Sequence, residues 1–242
     1  MAHNVETMAY AGQLPWHGLG TKVDEDLLPY DMQIAAGLDW TVEKQSLVTS
    51  EGIIVPQKKA LVRSSDQSVL DVVGSEWQPC QNDTAFQFFN DFCLKGDMEM
   101  HTAGSLQDGK IVWVLAKVKD SFELFGGDQV DSYLLFSNPH KFGQSIDVRF
   151  TPIRVVCNNT LTLSLNNASK NGVKLNHKKA FDADNVKEMM GLASFKLDSY
   201  KDMAKHLGGK KYKKEEVLVY LDQLFPTYSK KERSSTLHLD EL

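Results

Sequence analysis

The chain has 242 residues, 42% of them hydrophobic and 24% charged, and a formal net charge of −5, an ordinary globular composition. No window approaches the ~18 consecutive apolar residues of a membrane span. The acidity is uneven: residues 1–140 hold 9 Lys+Arg against 20 Asp+Glu (−11), residues 141–180 hold 7 against the single Asp147 (+6), and the remainder is neutral. An acidic body argues against duplex binding by the whole surface, whereas one basic belt is the asymmetry a polyanion contact would use.

The first residues, MAHNVETMAYAGQLPWHG, lack the basic start and apolar run of a signal peptide, so a cytoplasmic protein is expected. After PWHGLGT, the acidic turn DED leads into LLPYDMQIAAG, a short helix that Asp24 or Asp26 would cap and Gly37 would close. WTVEKQSLVT, GIIVPQ, KALVRSS and VLDVVG then read as successive antiparallel strands. Asn82 starts NDTAFQFFNDFCLKG, where Phe86, Phe89 and Cys93 share a helical face and Gly96 stops the helix.

A second group of strands follows: MEMHTAGSL, KIVWVLAKV, VDSYLLFS and SIDVRFTPIRVVC. Asp108-Gly109 between the first two is a hairpin signal, and the apolar run Ile111 to Ala116 suits a strand covered on both sides. Residues 170–181 form a basic connection to two amphipathic helices, the first with Val186, Met189, Met190, Ala193, Leu197, Tyr200 and Ala204 on one face. The expected fold is α+β: a largely antiparallel sheet core with packed helices over residues 1–181, then a helical C-terminal region over 182–242. The methionines of that region, and uncovered strand edges, raise a homo-oligomer as a possibility.

Common catalytic signatures are absent: no G-x-S-x-G, no phosphate-binding loop, no H-E-x-x-H. The three cysteines form no C-x-x-C and the seven histidines no paired motif, so no metal or cofactor is expected. His17 in PWHG and His140 in NPHKFG are candidate functional histidines; hydrogen-bonded structural roles are the commoner fate of such residues.

The segment SIDVRFTPIRVVCNNTLTLSL carries the sharper signal. Alternation sets Ile146, Val148 and Phe150 on one strand face and Asp147 with Arg149 on the other. Pro152 implies an edge or a bulge, which could bring Arg154 to the same exposed face as Arg149. Asn158 or Asn159 would cap the helix that follows, whose free N–H groups attract negative charge. Together with Lys170, Lys174, Lys178 and Lys179 these residues make a candidate nucleic-acid-binding surface, with Phe142 or Phe150 as stacking platforms. The opposing reading pairs Arg149 with Asp147 or another carboxylate and gives the arginines to architecture.

PWHGLGT, AAGLDWTV, VVGSEWQPCQNDTAFQFFNDF, TAGSLQDGKIVWVLAKV and TPIRVVCNNTL occur in the order found in the phage/plasmid-like family known as domain of unknown function 932, which the chain resembles from about Pro15 onward. The family usually has an acid after the histidine where this chain has Lys141 in HKFGQS, and many members continue further. The resemblance brings no catalytic residues. It implies a bacterial, phage or plasmid setting, where replication, recombination or defence evasion are common roles. In element order the chain is also similar to the annealing proteins of phage recombination. The expectation is thus a non-enzymatic single-stranded nucleic-acid-binding or annealing protein. The alternatives are an enzyme acting on nucleic acid or nucleotides through His17, His101, His140 and acids such as Asp147, and an accessory protein that binds a host protein.

Overall fold

The computed structural model describes residues 4–123, 129–166 and 172–190; most of the expected helical region, and Lys170, lie outside them. In chain order the elements are β1 (Val5–Ala11), β2 (Thr21–Val23), α1 (Pro29–Ala35), β3 (Val42–Val48), β4 (Ile54–Arg63) and β5 (Val69–Gly74). Then come α2 (Asn82–Gln87), α3 (Asn90–Leu94), β6 (Met98–Leu106), β7 (Ile111–Glu123), β8 (Gln129–Pro139), β9 (Ile146–Thr151), α4 (Asn158–Asn166) and β10 (Gly172–Leu175), with a further helix at 183–190.

Seven strands form one sheet in the order β10-β9-β8-β7-β6-β1-β2, and β3-β4-β5 form a second. Every pairing is antiparallel except β1 with β2, so the expected α+β class with a mostly antiparallel sheet is correct. The large sheet is covered on both faces, which explains the unbroken apolar run Ile111 to Ala116 of its central strand β7. On one face Ala103, Met100, Val112, Val114, Leu134 and Phe136 pack beneath α1, α2, the second sheet and Val186 and Met190 of the last helix. On the other, Met8, Tyr10, Trp113, Leu115 and Leu135 lie beneath Val155, Val156, Cys157 and Leu161. The chain after β9 therefore folds back over the second face and carries α4 across it.

Several local expectations need correction. The N-terminal stretch, read only as lacking a leader, supplies β1, and the basic connection contains β10. Leu28, not Asp24 or Asp26, precedes α1, with Pro29 in its first turn. GIIVPQ and KALVRSS contribute to one strand, within which Gln57 takes φ +57°. The helix from Asn82 is broken into α2 and α3, and Asn82 is not its cap: that position is Gln81. Asn82 is wholly buried, its amide donating to the carbonyls of Leu38 and Trp40 at 3.3 and 3.2 Å. The hairpin at Asp108-Gly109 forms as expected, with Leu106 opposite Ile111 and Gln107, Asp108 and Gly109 all at positive φ.

Candidate functional site

Arg149 and Arg154, five residues apart, meet opposite fates. Arg149 is 4% exposed and lies under α4 rather than on an open face. Its guanidinium grips Asp147 at two points, Nε to Oδ1 at 2.6 Å and Nη2 to Oδ2 at 2.5 Å. Its Nη1 donates to the carbonyls of Ser164 and Leu165 at the end of α4, where a cation also suits the helix dipole. The expected exposed arginine is thus a buried pair holding strand to helix. The helix start is corrected too: Thr160 reaches back to accept from the N–H groups of Val156 and Cys157 at 3.0 and 3.1 Å, while Asn158 touches Gln107 at 3.4 Å and Asn159 is exposed.

Arg154 instead enters a cleft of about 260 Å³, lined also by Gly12, Glu25, Glu99, His101, Lys117, Asp131 and Tyr133. The sheet builds it by register. Lys117 of β7 sits directly opposite Glu99 of β6 and Tyr133 of β8, forming one polar row across three strands. Between Met100 and Thr102 the β6 register slips by one residue, so His101 is an extra residue in that strand, and such bulges redirect a side chain. His101 and Thr102 consequently fall on the same face: the His101 ring meets Tyr133 edge-on at 5.1 Å, and the Thr102 hydroxyl donates to the Val155 carbonyl at 2.6 Å while accepting from the Trp113 indole. That bond anchors the returning chain beside Arg154. The Arg154 Nη2 donates to the carbonyls of Ala11 and Gln13 at 3.3 and 2.5 Å.

The cleft's electrostatics are unevenly satisfied. Lys117 pairs with Asp131 at 2.8 Å, and the Tyr133 hydroxyl donates to the same carboxylate at 3.3 Å. Burial, then the Asp131 charge, pushes the Tyr133 phenol up to about 12. Burial holds His101 down to about 4, helped by the positive charges of Arg154 and Lys117, so its ring is neutral at pH 7. Arg154 makes no ion pair among the described residues, and burial lowers its pKa, though a guanidinium stays charged. Two buried polar atoms are left without a hydrogen-bonding partner here, Arg154 Nε and His101 Nδ1. Native structures rarely leave such atoms unsatisfied without a reason.

The remaining candidates do not join this cleft. His17 donates from Nε2 to the Val156 carbonyl at 2.9 Å, its Nδ1 accepting from Leu19 N–H, which seats the loop carrying Trp16 beside Arg154's segment. His140 is wholly buried, bonded through Nε2 to Asn82 Oδ1 at 3.0 Å; burial, with His177 nearby, lowers it to about 3. With Asn138 on Cys80 and His177 on Gln78, it fastens the segment Gln78–Asn82 from three sides. Lys174 is exposed near Asp147, 3.8 Å away, and shares a second cleft with Asn158. Lys178 and Lys179 are exposed beyond β10, Phe142 is exposed, and Phe150 is packed against the core. Arg149, Arg154 and the described lysines thus share no single groove.

Among these histidines only His101 reaches the cleft, and Lys117, Asp131 and Tyr133 were not singled out from sequence. A signal for His101 did exist: the alternation of Met98 and Met100 resumes out of phase at Ala103, which marks a bulge between them. No group of three or more His, Cys, Asp or Glu side chains among the described residues is placed to hold a metal ion, and no described helix is long and apolar enough to cross a membrane.

Residues 69–240 match the model of a family described as "Domain of unknown function (DUF932)", well over half of the chain. No curated protein and no solved structure matches it.

Proposed function

Because the chain belongs to the DUF932 family, which brings no activity to transfer, we propose from the cleft itself that it binds single-stranded nucleic acid, one nucleotide at a time, with a phosphate on Arg154. The observation that carries this reading is an arginine with no carboxylate partner among the described residues, lining the same cavity as His101 and Lys117; Arg154 and His101 each have a buried nitrogen that lacks a hydrogen-bonding partner. A phosphate oxygen satisfies the guanidinium by a charge-assisted hydrogen bond. Trp16, 69% exposed in the loop that His17 fastens to the Val156 carbonyl, is the stacking platform this reading assigns to the base. Lys174, Lys178 and Lys179, with Lys170, act as outlying backbone contacts in a recombination or replication role.

Anisotropy of a labelled single-stranded oligonucleotide tests this. Arg154→Gln should weaken binding by about tenfold or more, the worth of a hydrogen bond to a charged group, and Trp16→Ala should weaken it further. The salt dependence should be shallow, near −0.7 in log–log slope per phosphate engaged. Wild-type affinity in a folded Arg154→Gln protein would rule the cleft out.

A second reading, an enzyme acting on nucleotides or nucleic acid, is favoured by one observation: a neutral imidazole beside a cation in a cleft has the form of a general base. Release of mononucleotides that His101→Gln abolishes would establish it, and intact substrate after prolonged incubation would dismiss it.

A further inference from the structure

We infer that the nucleotide unit held in the cleft is a ribonucleotide, recognised through its 2′-hydroxyl by Glu25 and Glu99; this rests on the reading of the cleft as a phosphate site. Three carboxylates share the cavity with Arg154: Glu25, Glu99 and Asp131. An ionised carboxylate only accepts hydrogen bonds, and beside a phosphate it repels unless a donor stands between them. Asp131 has its donors in Lys117 and Tyr133. Among the described residues Glu99 meets only the exposed Lys119, at 3.4 Å, which leaves most of its acceptor capacity to a ligand.

Glu25 makes no hydrogen bond or ion pair with any described residue. Its Oε1 lies against Gly12, at a distance where a Cβ on that glycine would come to 3.5 Å. The cleft therefore offers a ligand two kinds of partner: donors at Arg154 and Lys117, and vacant acceptors at Glu25 and Glu99. A fitting ligand must carry an anion and a hydroxyl close together. In a single strand the phosphate supplies the first, and the base has Trp16 outside the cleft. The sugar must supply the second. Within a strand a deoxyribose has both its hydroxyl oxygens esterified and donates nothing, whereas a ribose presents the 2′-OH, the group by which proteins tell RNA from DNA. The cavity, about 260 Å³, is smaller than the ~300–1,000 Å³ of drug-sized pockets, which suits a sugar phosphate with its base left outside.

The test compares RNA and DNA strands of one sequence on the full chain, with Glu25→Ala and Arg154→Gln variants alongside and melting curves to confirm folding. Wild type should bind RNA about tenfold or more tightly than DNA, Arg154→Gln should weaken both, and Glu25→Ala should bring RNA down to the DNA level while leaving DNA no weaker. Equal binding of both strands, still dependent on Arg154, would overturn the ribose assignment and leave the phosphate site standing. So would a preference for RNA that survives Glu25→Ala. Binding of neither strand would remove the phosphate site and the ribose assignment together.

Discussion

The two arginines of the β9 segment separate what charge does for architecture from what it does at a surface. Asp147 and Arg149 sit at i and i+2, so they share a strand face, and a pairing between them was legible from sequence. What was not legible is that α4 returns over that face and closes it, because alternation alone does not say which side of a strand is covered. Removing one partner of a buried pair leaves the other as an uncompensated charge, so Arg149→Gln should cost about 3–5 kcal/mol. Chemical denaturation should show this as a lower midpoint, whereas Arg154→Gln, half-buried and bonded to the carbonyls of Ala11 and Gln13, should lose far less. Equal losses for the two variants would contradict these assignments.

At the scale of elements, regular features were the ones sequence announced. The apolar run of β7, the Asp108-Gly109 turn and the alternation of β9 all declare themselves through period and turn chemistry. The irregular features escaped. Asn82 resembles a helix cap, but its amide serves the carbonyls of Leu38 and Trp40, partners 42–44 residues away in sequence that no local pattern reveals. β1 hid in a stretch of mixed polarity because its neighbour β6 lies nearly a hundred residues on. Their close approach depends on Gly104: a Cβ there would lie 2.7 Å from Met8 Cβ and nearer still to the Trp113 ring and the Thr7 carbonyl. Gly104→Ala should therefore force β1 away from β6, costing about 1–3 kcal/mol or more. Because β1 ends at the cleft, it should also weaken oligonucleotide binding, measurable by anisotropy on the folded fraction. A variant as stable as wild type would show that the two strands are not held this closely.

Across the whole molecule, the half-buried His101 and the buried His140 and His177 have their pKa values lowered by burial: His101 to about 4, His140 to about 3, and His177 downward from 6.5. The sign follows from which state takes up protons first. Below about pH 6.5 the unfolded chain protonates these rings while the folded chain does not, so stability is complete above that pH and falls as pH drops toward the folded values. Denaturation midpoints measured from pH 8 to pH 4.5 should decline below about 6.5, and His101→Gln should decline less steeply; a flat profile would contradict the three desolvated, neutral histidines. Burial of this kind is a property of the assembled layers, which is why HTAG and NPHKFG gave no hint of it. The cleft itself depends on the same assembly, since it joins β1, β6, β7, β8 and the chain after β9. Its role is tested most directly by following the Nε–H signal of Arg154 and the ring nitrogens of His101 by nuclear magnetic resonance during titration with a single-stranded oligoribonucleotide. Both are expected to shift as ligand fills the cleft they line, while the Arg149 signal, already committed to Asp147, stays in place. Saturation with shifts confined to Lys174, Lys178 and Lys179, and none at Arg154 or His101, would contradict the cleft as the binding site.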